Sequence, residues 1–213
     1  AILLPELLKQ YDQLRTKLRT GKLNESDLVA TATAFDLSVN LLARYTIDQP
    51  IALAEALKII DGRHYAMFAD AVKANADTVL HLLREELQKQ VTTDQEASRQ
   101  ANAAAVLLKV GDVKPVWPLF VQSPDPSVRS YLVERVGEVG VDPNLLIKRF
   151  DSETDLSARR AIILALGEFD PKPLNHFEDE LLKLYFDHPD IGIHSSIEWL
   201  LRERWGMAAQ LSR

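Results

Sequence analysis

Asp125-Pro126-Ser127-Val128-Arg129 opens a segment that runs through Leu132, Val133 and Val136 to Gly137. Asp155-Leu156-Ser157-Ala158-Arg159 opens another, which runs through Ile162, Ile163 and Leu166 to Gly167 at the same offset. A looser copy, Asp190-Ile191-Gly192-Ile193-His194, reaches Gly206 one helical turn later. Self-similarity at a fixed spacing marks stacked supersecondary units, none of which can bury its apolar face alone. In each copy the Asp is placed to cap a helix by accepting from its free N–H groups. Arg129, Arg159 or His194, four residues on, is placed to reach back to that carboxylate or across to the Asp of a neighbouring copy. The glycine is expected to end the helix in a left-handed turn. The apolar residues between face the stack.

Outward from these copies, apolar residues recur at helical spacing almost throughout and strand alternation is not sustained anywhere. Segments near 94–110, 113–121, 126–138, 142–150, 155–168, 175–187 and 191–206 alternate long and short, with Gly or Asp-Pro between them. The first helix carries Leu4, Leu7, Leu8, Tyr11, Leu14 and Leu18 and is expected to stop at Gly21. Ser26 or Asp27 opens a long segment to about Tyr45, and Asp48 caps the next, with Pro50 in its first turn. Asp61 and Asp77 are placed to cap helices over roughly 62–74 and 78–90. Helix pairs joined by loops this short pack antiparallel and stack on their neighbours. The expected fold is therefore all-α, an α-solenoid of about five or six antiparallel helix pairs. It is expected to form a single domain over 1–213, irregular over 1–93 and regular over 94–213.

The bulk composition narrows the function. A charged share of 26% and an apolar share of 46% are those of a globular domain with an ordinary core. The net charge of -6, with no basic stripe, argues against nucleic acid and against anionic membrane surfaces. The lack of cysteine removes disulfides, thiolate metal sites and cysteine nucleophiles. It also fits a reducing compartment, so the cytoplasm is the expected location. No run is long and apolar enough to span a bilayer. The opening Ala-Ile-Leu-Leu-Pro is already amphipathic and reads as an internal boundary of a larger polypeptide.

The strings RQANAAAVLLKVG, VWPLFVQSPDPSVRSYLVERVG, SARRAIILALGEF and HSSIEWLLRERWG carry a resemblance. Asp-Pro-x-Val-Arg followed by an apolar helix and glycine resembles HEAT-like, armadillo-like repeats. Over about Asp94 to Gly206 the chain is similar to a helical region of large planctomycete proteins, and more weakly so back to about Ser26. In those proteins the region lies between a serine/threonine kinase domain and a formylglycine-generating, sulfatase-modifying domain. The resemblance implies a right-handed superhelix and a connector's role. It implies no chemistry in this chain, where a glycine-rich loop, HRD and DFG are all missing.

No catalytic, cofactor or metal site is expected. His188 and His194 lie near each other with Asp187 and Asp190, but turn and cap chemistry already explains those positions. Glu85-Glu86, Glu178-Asp179-Glu180 and the run from Asp151 to Asp155 are expected to coat solvent faces. Ser195-Ser196 beside His194 lacks the glycine-flanked elbow of hydrolases. Trp117, between Pro115 and Pro118, is expected to staple a short helix against the next repeat. Trp199, Arg202, Arg204 and Trp205 either cap the last repeat or offer a surface to a protein partner, since Trp and Arg are enriched at such surfaces. The expected function is a non-catalytic scaffold that orients flanking domains of one chain or docks an unknown partner protein. The alternative is an accessory, substrate-holding or regulatory part of a sulfatase-modifying or kinase enzyme.

Overall fold

The computed structural model describes residues 3–211. Among them every regular element is helical, and eleven α-helices follow one another along the chain. They are α1 (Leu3–Thr20), α2 (Glu25–Thr46), α3 (Pro50–Leu57), α4 (Ala69–Ala74), α5 (Ala76–Leu87), α6 (Asp94–Lys109), α7 (Ser127–Val139), α8 (Pro143–Ser152), α9 (Leu156–Leu166), α10 (Asn175–Asp187) and α11 (Ile191–Trp199).

Side-chain caps set several of the starts. Asn24 Oδ1 accepts the Asp27 N–H at 2.8 Å, so the cap of α2 lies just ahead of the expected Ser26 or Asp27. Thr93 and Glu96 exchange hydrogen bonds with each other's backbone at the start of α6, a full capping box. Asp142 accepts the Asn144 N–H, with Pro143 in the first position of α8.

Two expected caps fail. Gln49, not Asp48, precedes α3 and does not cap it; its side-chain amide donates instead to the Tyr45 carbonyl at 2.7 Å. Asp77 lies inside the first turn of α5, after Asn75. Asp61 does cap, but it opens a 3₁₀ turn over Gly62–Met67 that precedes α4. Tyr65 and Phe68 are both buried, and a three-residue turn brings that spacing onto one side. The expected helix near 113–121 is likewise only a 3₁₀ turn, Trp117–Phe120, in a stretch broken by Pro115 and Pro118.

Helix α6 holds the middle. Residues 100–108 are buried without interruption, and Ala101, Ala103, Ala104 and Ala105 are small enough to admit α5 on one side and α7 on the other. From there α7 packs on α9, α9 on α11, and α8 and α10 pack on the helices that follow them. Phe150 of α8 meets Phe177 of α10 edge to face at 5.6 Å. At the other end α1 lies along α2, while α3 joins α2 to α5.

The glycines at the shared offset do something other than turn the chain. Gly137 lies inside α7, and Gly167 ends α9 with φ −67°. Both are points of close approach. A Cβ on Gly137 would stand 2.6 Å from the backbone oxygen of Glu168, and one on Gly167 would stand 2.7 Å from the Trp199 ring. The left-handed positions are Gly111, Gly140 and Gly206, so of the three copies' glycines only Gly206 adopts the expected turn.

Two carboxylates expected at the surface are withdrawn from it, Glu153, whose side chain is 7% exposed beside Arg149, and Glu86. Glu86 is 4% exposed and pairs with Lys58, itself 3% exposed, at 3.1 Å. Glu55, Lys89 and Arg99 complete the cluster. Burial pushes the Glu86 carboxyl up, but hydrogen bonds from Lys89 and Lys58, with the charges of Lys58 and Arg99, hold it below the usual glutamate range. Periodicity alone does not reveal such a cluster, because the paired charges lie on different helices.

Candidate interaction groove

Helices α7, α9 and α11 lie side by side, and their facing sides leave a groove of about 450 Å³. Its floor is apolar: Val133 from α7, Ala161 and Leu164 from α9, and Trp199 from α11. Polar groups stand on its edges, with Arg129, Ser130, Ser157 and Arg160 toward the helix starts and Glu134 and Glu168 toward the ends. An apolar floor with a few placed polar groups is the usual composition of a binding cleft.

The repeated Asp residues set the register between these helices. Asp125 accepts the Ser127 N–H at 2.9 Å, Asp155 the Ala158 N–H at 2.9 Å and Asp190 the Ile193 N–H at 2.8 Å. Asp190 also takes a fork from Arg160, whose Nη2 donates to Oδ2 at 2.7 Å and whose Nε donates to Oδ1 at 3.2 Å. The cation that crosses from α9 to the start of α11 is thus Arg160, not Arg159 four residues after the Asp155 cap. Gly192 makes room for it, since a Cβ there would meet Arg160 Nε at 2.3 Å. Arg159 turns the other way, with its guanidinium 4.2 Å from the Phe150 ring centre. His194 reaches the backbone oxygen of His188, while the Asp190 N–H donates to His188 Nδ1 at 3.1 Å. Hydrogen bonds from Arg160, then from the Ile193 N–H, hold the Asp190 carboxyl below its ordinary range.

Of the four residues expected at the C-terminal surface, only Trp199 lines the groove. Trp205 is 8% exposed and belongs to the core, so its ring offers no surface. Arg202 pairs with Glu198 at 2.9 Å on an exposed face. A single π turn over Leu200–Arg204 brings Arg204 back over Trp199, where its Nε donates to the Gly167 carbonyl at 2.7 Å and its Nη2 meets Glu168 at 3.2 Å. Burial, and then the nearby Glu134 and Glu138 charges, raise the Glu168 carboxyl, against the pull of Arg204. Arg129 is the cation on the groove edge with no hydrogen-bond or ion-pair partner among the described residues. Val133, expected to face inward, packs against the core from a partly buried position on the groove floor, whereas Leu132 is fully buried.

A second cleft, of about 500 Å³, lies between α1, α6 and α7 and is mainly polar. Most of its cations are answered within the fold: Arg15 by Asp12, Arg99 by Glu55, and Arg135 by Glu138. The hydroxyls beside His194 are answered too. Ser195 donates to the Ile191 carbonyl and Ser196 to that of Gly192. Trp117 lies under the Arg149 guanidinium of α8, its ring 5.5 Å away. Among the described residues no three His, Cys, Asp or Glu side chains converge on a point where a metal would sit. No described helix is long and apolar enough to cross a membrane. Comparison with protein-family models, with curated proteins and with solved structures finds no match to the chain.

Proposed function

We propose that the chain is a non-catalytic protein-docking module, a HEAT-like α-solenoid that receives a partner segment in the groove across α7, α9 and α11. The observation that carries this reading is the groove itself. Four apolar side chains from three alternate helices form one floor, and an unpartnered Arg129 stands at its edge. Surfaces that bind proteins concentrate their affinity in such aromatic and aliphatic pockets with a polar rim. The cations nearby favour a protein over a nucleic acid, because Arg160, Arg202 and Arg204 already hold carboxylates of the chain. A connector's place in a cytoplasmic planctomycete protein, next to kinase or sulfatase-modifying domains, belongs to the same proposal and rests on the resemblance of the repeat strings alone.

The test compares immobilised wild-type chain with a groove variant, Arg129→Glu combined with Val133→Glu, in extract of the source cell. Both positions are partly exposed, so the variant is expected to keep its helicity and melting temperature. A protein retained by the wild type and lost by the variant supports docking in the groove. Equal retention by both refutes it.

A further inference from the structure

The outward side of α2 is apolar where solvent would favour charge. Val29, Leu37 and Leu41 are 62%, 59% and 51% exposed, and Ile47, which follows the helix in helical conformation, is 54% exposed. Single exposed apolar residues need no explanation, but a row of them on one helix marks a contact surface. The opposite side of α2, with Val39, Leu42 and Thr46, is already buried within the fold.

Residues four apart form ridges along a helix. On this side one ridge is Val29, Thr33, Leu37 and Leu41, and the next is Asp36, Asn40 and Arg44. All seven are exposed. The Asp36 carboxylate and the Arg44 guanidinium make no hydrogen bond or ion pair among the described residues. They stand one turn either side of Asn40, each about 6 Å along the axis from it.

We infer that α2 is a self-association surface, packing antiparallel against α2 of a second copy of the chain about a two-fold axis near Asn40. Reversing the ridge Asp36-Asn40-Arg44 onto its own copy brings Asp36 level with Arg44 of the second copy, and the symmetry makes that pair twice. A crossing near −50°, in which the i±4 ridges of each helix lie in the grooves of the other, keeps the two rows parallel. Leu37 and Leu41 then fill the centre of an interface in which each surface is its own complement. A basic or an acidic partner would leave one of the two charges unanswered, so a second copy fits this row best. The inference is independent of the groove, which lies on α7, α9 and α11.

Sedimentation velocity over about a hundredfold concentration range around the micromolar region tests it. The mass is expected to rise from 24.0 kDa toward twice that value. Leu37→Glu and Leu41→Glu should each leave a monomer with unchanged circular dichroism. Asp36→Arg alone and Arg44→Asp alone should each weaken association by about tenfold or more, because each sets like charges opposite one another twice. Asp36→Arg combined with Arg44→Asp should restore it. A wild type monomeric throughout overturns the inference, as does a dimer indifferent to Leu37→Glu. Failure of the double reversal to rescue overturns the antiparallel register.

Discussion

Replacing Gly167 with alanine tests whether α9 and α11 meet through a glycine. The backbone there is right-handed, so an L side chain meets no conformational penalty, and helix propensity favours alanine by up to about 1 kcal/mol. Against that, the new methyl would lie 2.7 and 2.8 Å from two atoms of the Trp199 ring, far inside van der Waals contact. Overpacking of this kind costs roughly 2–3 kcal/mol, so the net loss should be about 1–2 kcal/mol. For a chain of this length that lowers the melting temperature by about 2–8 °C. Thermal and urea denaturation followed by circular dichroism measure it. In a double-mutant cycle, Gly167→Ala should become nearly neutral once Trp199→Leu has removed the ring. Gly167→Asn should be as damaging as alanine, whereas Gly140→Asn should be mild, because asparagine tolerates the left-handed φ of +72° at Gly140. A Gly167→Ala protein melting at or above wild type would refute the close-approach argument.

Leu132→Asp and Ile162→Asp should each abolish cooperative melting of at least α7 to α11, since both side chains are fully buried and neither new charge finds a partner; circular dichroism with limited proteolysis reports it. Stability should also fall in acid. The carboxyls of Glu55 and Glu86 titrate below their ordinary range near 4.5, so the unfolded chain takes up protons first. Their contribution is complete above that range and is lost as pH falls through their lower folded values, so the urea midpoint should drop between about pH 5 and pH 3, less steeply in Glu86→Gln.

Much of this fold was legible in residue spacing, and the failures have identifiable physical causes. Asp155 and Asp190 cap α9 and α11, and Asp125, one residue ahead of Pro126 in the cap position of α7, still accepts the Ser127 N–H; such bonds are legible because they join a side chain to donors two or three residues away. The same local logic was available at Thr93 and Glu96, whose spacing is that of a capping box. Gly137 and Gly167 were found by their offset but misread. A glycine needed for φ and a glycine needed for space look alike until the neighbouring helix is placed against it. Arg160 in place of Arg159 is an error of one residue, about 100° around a helix, which decides whether a guanidinium faces the next helix or the one before. The groove was the least legible part. Its floor comes from three helices, and only the register fixed by Arg160 and Asp190 shows which faces converge.

The long-range bonds of the C-terminal half also have a direction in time. Asp190 needs Arg160, Arg204 needs the Gly167 carbonyl, and Tyr131 donates to Asp94, so each later residue binds a group made earlier. During synthesis at about 5–20 residues per second, the partner of Asp190 precedes it by roughly 1.5–6 s, ample time for α9 to be helical before α11 emerges. Each of these bonds can form as soon as its later residue emerges, so the order of synthesis runs with the order in which the helices are joined.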